Sequence, residues 1–194
     1  MTNHVHLLAT TSDEQEVSKL MLSIGRRYVR YINVSYRRAG ALWEGRYKSS
    51  LIDSDRYLLA CYRYIELNPV STGILDNPAE YQWTSYKSNV RLETSKFIKP
   101  HLLYMALGKT VGKRSATYHS MFQACIDENI LSNVRDSTNQ NIVMGSARFT
   151  KEVQSMLKRR VTKGQHRGDR RSKMFKELQP SSTLTSWYNV SNTY

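Results

Sequence analysis

The chain has 194 residues, which allows one domain or one domain with a small addition. Its 29 Lys and Arg against 16 Asp and Glu give a net charge of +13, which favours an anionic partner such as nucleic acid. Residues 91–194 carry most of the excess, with 18 basic and 7 acidic side chains. No apolar run is long enough for a membrane span, and the first residues lack a signal-peptide pattern, so we expect a cytoplasmic protein. Cys61 and Cys125 lie among apolar residues and are predicted to be buried thiols.

The first forty residues predict a strand followed by a long helix. Residues 4–9 (HVHLLA) form a short apolar run with strand character. Ser12 and Gln15 stand at the spacing of a capping box, which predicts that a helix begins here. Apolar side chains then recur every three or four positions towards Gly40, and most basic side chains fall off that face, as in an amphipathic helix.

The next segment predicts extended chain and then a second helix. Residues 42–52 are expected to be extended, with an interruption at Gly45. Ser54 is a good N-cap for a helix over residues 55–68. Pro69 is expected to end this helix, because proline has no N–H and disfavours helix in the residue before it.

The second half of the chain predicts a compact basic helical region. Apolar residues at helical spacing mark three short helices, near residues 101–107, 118–126 and 149–157. Residues 158–173 hold eight Lys or Arg and predict a flexible basic segment. The Ser-, Thr- and Asn-rich residues 179–194 are predicted to be disordered.

His4 and His6 are the first candidates for chemistry. Residues i and i+2 of a strand point to the same face, so the two imidazoles would lie side by side while Val5 faces the other way. That arrangement suits two nitrogen ligands on one metal ion. Taken alone, the triplet favours the simpler interpretation of two exposed histidines, because short motifs recur by chance.

Tyr64 and Asn68 are the second candidates. On a helix they stand at i and i+4, one above the other, so a phenol and an amide oxygen are presented together. A phenol can act as a nucleophile, and an amide oxygen can bind a metal. The alternative is a half-buried tyrosine and an asparagine that closes the helix. Spacing alone does not select Tyr64 among the chain's 13 tyrosines.

Four sequence blocks, in order, resemble the small single-tyrosine HUH transposases and, within them, the REP-associated tyrosine transposases. Residues 3–8 (NHVHLL) are similar to the HUH motif, and residues 42–50 (LWEGRYKSS) to the Trp-x-x-Arg segment. Residues 57–70 (YLLACYRYIELNPV) resemble the nucleophile helix, and residues 81–86 (YQWTSY) the Tyr-x-Trp-Ser-Ser-Tyr block. Four ordered blocks are far harder to obtain by chance than one.

The resemblance implies an α+β fold, a ferredoxin-like HUH nuclease core with an antiparallel sheet, in residues 1–90. Residues 91–161 would be a basic region of C-terminal helices, and residues 162–194 a basic, polar tail. In the family the HUH motif lies well inside the domain, so we expect this core to lack its N-terminal strand and helix, with exposed sheet edges. A bacterial, nucleoid-associated protein is implied.

The resemblance also assigns roles to the candidate residues. Tyr64 would attack single-stranded DNA near hairpins and form a 5′-phosphotyrosine, so that strands are cleaved and rejoined. His4, His6 and Asn68 would hold a divalent metal, Mg²⁺ or Mn²⁺, and imidazoles suit Mn²⁺ better. Asn68 stands where the free-living relatives have Gln, although Asn is usual in the REP-associated branch.

Five further residues are predicted to contact DNA. Arg46 and Lys48 would bind phosphates, with solvated surface charges as the alternative. Trp43 would stack on a base, although core packing is the commoner use of tryptophan. Arg27 and Arg30 belong to the basic face of the first helix, which is more often a solvated face.

Two other interpretations of the whole chain stay open. One is a non-catalytic DNA- or RNA-binding remnant of such a transposase, because the charge is concentrated in the second half. The other is a remnant that does not fold stably. In each case we expect no membrane partner and a monomer or homodimer.

Overall fold

The computed structural model describes residues 4–124, 127–158, 160–162 and 187–191, with the backbone alone at residues 14, 54 and 187–191. Its elements are, in chain order, β1 (His4–Leu8), α1 (Glu14–Ser35), α2 (Ser54–Ser71), a 3-10 turn (Pro78–Glu80), α3 (Tyr86–Val90), α4 (Leu102–Met105), α5 (Val111–Gln123), α6 (Glu128–Gln140), α7 (Ala147–Leu157) and β2 (Trp187–Ser191). No helix within these described ranges is both long and apolar enough to cross a membrane.

The chain divides into two compact units. One comprises Ser54–Arg135 and contains α2 to α5; we call it the tyrosine unit, after Tyr64. The other contains Asn3–Asp53 and Asp136–Tyr194, and we call it the histidine unit, after His4 and His6. The predicted segments 1–90, 91–161 and 162–194 stay a prediction. The predicted flexible segment 158–173 and disordered tail 179–194 lie mostly outside the described residues, although residues 187–191 form strand β2.

The histidine unit begins with the predicted strand, which is confirmed as β1. Strands β1 and β2 pair antiparallel, with His4 opposite Ser191 and Leu8 opposite Trp187. The described residues contain this one pair of strands, so the ferredoxin-like sheet stays a prediction. The core beside β1 is a cluster of apolar side chains from α1 and its neighbours: Val17, Met21, Leu7, Ala9, Trp43 and Tyr47.

The long helix α1 is confirmed, but its start was predicted one residue too early. Asp13, not Ser12, is the N-cap, and its carboxylate accepts a hydrogen bond from the Gln15 N–H at 2.8 Å. The Glu16 carboxylate accepts from the Ser12 N–H at 3.3 Å. Asp13 is better placed than Ser12 to cap the helix, because its side chain reaches the second N–H of the helix. The Ser12 N–H is satisfied by the Glu16 carboxylate instead.

Residues 42–52 do not form a regular strand, and the prediction of extended structure holds only at isolated bridges. Ile52 forms a parallel bridge with Met144. The Asp53 N–H donates to the Met144 carbonyl, and the Met144 N–H donates to the Leu51 carbonyl, each at 2.8 Å. This bridge connects the segment before α2 to the segment before α7 within the histidine unit, but it does not extend into a regular β-ladder.

Helix α2 extends beyond Pro69, so the prediction that Pro69 ends it is wrong. The helix runs to Ser71 with Pro69 inside it. Proline removes one donor, but the last carbonyls keep partners, because Thr72 donates to the Asn68 carbonyl and Ile74 to the Pro69 carbonyl. A proline close to a helix end therefore disturbs few hydrogen bonds here.

The helices near residues 101–107 and 149–157 are confirmed as α4 and α7, and the helix predicted near residues 118–126 corresponds to α5, which spans Val111–Gln123. Cys125 lies outside the described residues. Sequence reasoning missed α6, whose residues are mostly polar. A start signal was present, since the Asp127 carboxylate accepts from the Asn129 N–H at 2.8 Å. Among its residues Val134 is fully buried, so tertiary packing on few apolar side chains holds this helix.

The core of the tyrosine unit is built around the carboxyl group of Glu66. Glu66 is fully buried on α2. It accepts hydrogen bonds from the Ser85 hydroxyl, from the Asn89 amide at 2.7 Å and from the Tyr118 hydroxyl at 2.9 Å. Tyr104 extends this network, because its hydroxyl donates to the Asn89 carbonyl at 2.7 Å. The Glu66 carboxyl thus joins α2 to α3 and α5, and the Asn89 carbonyl joins α3 to α4.

Aromatic rings surround this carboxyl and make its environment apolar. The Tyr118 ring lies edge to face with those of Tyr104, Phe122 and Tyr62, with centroids 5.3–6.3 Å apart. Cys61 is also fully buried, which confirms the prediction of a buried thiol at this position. Burial raises the pKa of this thiol to about 12. Burial likewise raises the pKa of Glu66 to about 7, although three hydrogen bonds oppose that rise.

We predict that the contribution of Glu66 to the stability of the folded protein is lost as the pH rises through the range in which its carboxyl group ionises. The pKa of Glu66 is raised in the folded state from an ordinary 4.5 to about 7, so the folded chain holds this proton more tightly than the unfolded chain does. Stability from this group is complete below about pH 4.5 and is lost towards pH 7, by on the order of 3 kcal/mol. Urea unfolding followed by circular dichroism at several pH values measures the slope.

The variant Glu66→Gln should remove that slope, because a neutral amide cannot ionise, and should become more stable than the parent at about pH 8. Exposed Glu80 in the same unit is the matched control, and Glu80→Gln should keep the parent's slope. Parallel slopes for the parent and Glu66→Gln would contradict this account of the core.

Candidate functional site

The two histidines of β1 lie side by side, as the strand periodicity predicts. Their ring centroids are 4.9 Å apart, with the rings nearly perpendicular. His6 is buried, with 9% of its surface exposed, and His4 is half-buried, while Val5 between them is exposed at 48%. The pair therefore presents two imidazoles to one side of the strand.

Burial keeps both imidazoles in the form that binds metals. Desolvation lowers the pKa of His6 to about 4, with a further lowering from neighbouring His4. Desolvation also lowers the pKa of His4. Two neutral imidazoles at neutral pH fit a transition-metal ion such as Mn²⁺, because a protonated imidazole has no lone pair for a metal.

Tyr64 and Asn68 stand one helical turn apart on α2, as predicted. Tyr64 is half-buried and Asn68 is 8% exposed. Glu66 lies between them in sequence and points into the core, which fixes the rotation of α2 about its axis. At 3.6 residues per turn, Tyr64 and Asn68 project from the side of the helix roughly opposite Glu66.

Arg135 is a neighbour of Tyr64 that sequence reasoning missed. Its guanidinium lies 5.9 Å from the centroid of the Tyr64 ring. It stands on α6, whose polar sequence concealed the helix, so no sequence signal linked the two residues. The contact lies within the tyrosine unit.

The structure thus brings His4 beside His6 in the histidine unit and places Tyr64 near Asn68 in the tyrosine unit. Within the part of the chain that the structure describes, no group of three or more His, Cys, Asp and Glu side chains could hold a metal ion. The predicted ligand set has a different composition, with two imidazoles and one amide oxygen.

Three of the five predicted DNA contacts line one groove of the histidine unit. This groove, of about 850 Å³, lies beside β1 and α1, and Trp43, Arg30 and Arg46 line it. Most of its remaining lining is apolar. Trp43 is half-buried and packs against the core cluster, with its ring centroid 5.4 Å from that of Tyr28. Its side chain thus serves the core, as the commoner use of tryptophan predicts.

The basic side chains differ in their exposure. Arg27, Arg30 and Arg46 are exposed, whereas Lys48 is half-buried. Arg26 joins Arg30 and Arg46 in lining the groove, although sequence reasoning did not select it. The spacing of Arg26 and Arg30, one helical turn, is the signal that would have found it. These guanidinium groups give the groove a positive border.

One protein-family match covers both the histidine pair and the pair of Tyr64 and Asn68. Residues 1–68 match the family model described as "Transposase IS200 like". The matched part includes His4, His6 and the groove, and it continues through α2 to Asn68. No curated protein and no solved structure matches the chain.

The match covers about the first third of the chain, over which it is similar to IS200-like transposases. It supports a transposase-like, DNA-cleaving function and therefore DNA as a partner. The REP-associated branch, the metal and the tyrosine nucleophile are finer statements that stay predictions.

We predict that the histidine pair binds Mn²⁺ and retains it in mildly acidic solution. Because the pKa of His6 is lowered to about 4 and that of His4 is also lowered, protons displace the metal only at acidic pH. Mn²⁺ affinity should therefore persist below about pH 6.5, where an ordinary histidine site weakens, and proton competition at His6 should begin only as the pH falls towards about 4. Titration calorimetry measures the affinity at each pH.

Replacement of either ligand, His4→Ala or His6→Ala, should weaken Mn²⁺ binding by roughly tenfold or more. His119, exposed on α5, is the matched control, and His119→Ala should bind as the parent does. Equal affinities for the parent and the His4→Ala, His6→Ala double variant would exclude the pair as a metal site.

Proposed function

We propose that this protein is a REP-associated tyrosine transposase that cleaves and rejoins single-stranded DNA near hairpins. The observation that carries the proposal is the family match over residues 1–68, which spans the histidine pair on β1 and Tyr64 with Asn68 on α2. A single-tyrosine transposase would need the histidine pair for its metal and Tyr64 as its nucleophile. The net charge of +13 supports a nucleic-acid substrate.

Tyr64 is the nucleophile in this proposal. Its phenol oxygen loses a proton and forms a bond to the phosphorus, while the bond from phosphorus to the 3′ oxygen breaks and that oxygen leaves as a hydroxyl. The 5′ end stays attached to Tyr64 as a phosphotyrosine, which conserves the bond energy for rejoining. The half-buried ring, held on a helix whose rotation Glu66 fixes, suits a nucleophile that must be aligned with a phosphate.

His4, His6 and Asn68 would hold a divalent metal, and the neutral imidazoles favour Mn²⁺ over Mg²⁺. When bound, such an ion polarises a phosphoryl oxygen and stabilises developing negative charge. An Asn68→Ala variant that binds Mn²⁺ as the parent does would remove Asn68 from the ligand set.

The DNA strand would lie on the histidine unit along the groove that Arg30 and Arg46 border. Guanidinium groups bind phosphates in fixed geometry. Their contribution to binding falls as the salt concentration rises, because the release of counterions from the DNA then becomes less favourable. Arg27 and Lys48 would add phosphate contacts from the same unit. Trp43 packs in the core, so its contact with a base would be limited to the edge that the groove exposes.

The proposed architecture is the ferredoxin-like HUH core, in a bacterial protein of the cytoplasm and nucleoid that acts as a monomer or homodimer. The antiparallel pairing of β1 is compatible with this core. The position of the imidazoles on one side of β1, and of apolar Val5 and Leu7 towards the groove, matches the alternation that such a sheet requires.

A second candidate function is binding of DNA or RNA without cleavage. The observation that favours it is the charge of residues 91–194, which lie outside the matched segment and contain 18 basic and 7 acidic side chains. Binding of this kind would survive chelation and the loss of His4 and His6, and it would weaken steeply with salt.

We predict that Tyr64→Phe abolishes covalent adduct formation. The parent, incubated with Mn²⁺ and a labelled single strand that carries a hairpin, should give a protein–DNA adduct that survives denaturing electrophoresis. Removal of the phenol oxygen removes the bond-forming atom, so adduct should fall by at least about a thousandfold. Tyr57, buried on the same helix, is the matched control, and Tyr57→Phe should keep the adduct.

Retention of adduct by Tyr64→Phe would eliminate this residue as the nucleophile. Absence of adduct in the parent, together with binding of the strand in the presence of chelator, would favour the second candidate function.

A further inference from the structure

Arg135 and Tyr64 form a contact that links α6 to the proposed nucleophile. The guanidinium carbon lies 5.9 Å from the ring centroid, within the distance at which a cation is attracted to the face of an aromatic ring. Val134, the preceding residue, is fully buried, which anchors α6 at this point. Arg135 is exposed and Tyr64 is half-buried, so the contact lies at the surface of the tyrosine unit.

A second contact of the same type on α2 shows what distinguishes this one. The guanidinium of Arg56 lies 5.5 Å from the centroid of the Tyr57 ring. Tyr57 is buried, with 8% of its surface exposed, so a substrate does not reach it. Tyr64 is more accessible, and its arginine comes from a different helix, 71 positions along the chain. A distant helix therefore supplies the cation beside an accessible phenol.

We infer that Arg135 is a positioning residue for Tyr64, an inference that rests on the proposed nucleophilic role of that tyrosine. The cation restricts the ring to one orientation, so the phenol oxygen is held where a phosphate approaches. It also places a fixed positive charge beside the site of negative charge in the reaction. A planar guanidinium stacks on a ring better than an ammonium group does, so Lys should replace it only in part.

The test compares Arg135→Gln, Arg135→Lys and the matched control Arg56→Gln, each in the full chain. Single-turnover cleavage of the labelled hairpin strand with Mn²⁺ gives the rate at saturation and the DNA concentration at half-saturation. In Arg135→Gln the saturating rate should fall by about five- to thirtyfold, while half-saturation changes by less than about threefold. Arg135→Lys should lie between that variant and the parent, and Arg56→Gln should cleave as the parent does.

A second readout does not depend on cleavage. With 3-fluorotyrosine incorporated at position 64, the fluorine resonance should shift and broaden in Arg135→Gln relative to Arg56→Gln, because the ring loses its fixed neighbour. Thermal unfolding of each variant checks the fold, and if Arg135→Gln does not fold, Arg135→Lys takes its place in both measurements.

An unchanged saturating rate in Arg135→Gln, or an equal loss in Arg56→Gln, would overturn the inference. If the parent forms no adduct, the proposed function fails, and the fluorine resonance alone then decides about Arg135. A resonance that does not respond to Arg135→Gln overturns the inference in that case, and a shift specific to Arg135 supports it.

Discussion

The carboxyl group of Glu66 is the interaction on which the tyrosine unit depends. It is fully buried and accepts hydrogen bonds from Ser85, Asn89 and Tyr118, which come from two separate parts of the chain, the α3 region and α5. A buried acceptor of this kind stabilises the fold only while its donors are in place, because an unsatisfied buried group costs about 1–3 kcal/mol. The network therefore determines how α2 packs on its neighbours.

The orientation of the candidate nucleophile follows from this packing. A helix with one side chain fixed in the core cannot rotate about its axis, and residues two positions away then project from the other side. Tyr64 and Asn68 flank Glu66 in this way. The network also gives a physical reason why two separated sequence blocks occur together, since Ser85 of residues 81–86 donates to Glu66 of residues 57–70.

In the histidine unit, burial keeps two neighbouring imidazoles neutral. Alternation along β1 sends His4 and His6 to one side and leaves Leu7 to pack against Val17 and Met21. The burial that this requires lowers the pKa of both histidines. The neutral imidazoles and the arginines that line the groove therefore belong to the same unit, which is why the two proposed imidazole ligands and the DNA contacts are assigned to it together.

Local patterns predicted much of the secondary structure and the pairs within the candidate site. Strand alternation was enough for His4 and His6, and helical spacing was enough for Tyr64 and Asn68, because both relations depend on backbone periodicity alone. Patterns failed where the tertiary structure supplies the energy. Helix α6 is too polar to predict from apolar spacing, and α2 continues past Pro69 because later N–H groups satisfy its last carbonyls.

The amino-acid sequence by itself determined the residue types, their spacing and the similarity of residues 1–68 to a transposase family. Only the tertiary structure decided which distant groups meet: Glu66 with Tyr118, Arg135 with Tyr64, and Arg30 with Arg46 around one groove. The reason is physical, since burial, desolvation and contact between side chains dozens of positions apart are properties of the packed chain and leave no periodic signal along it.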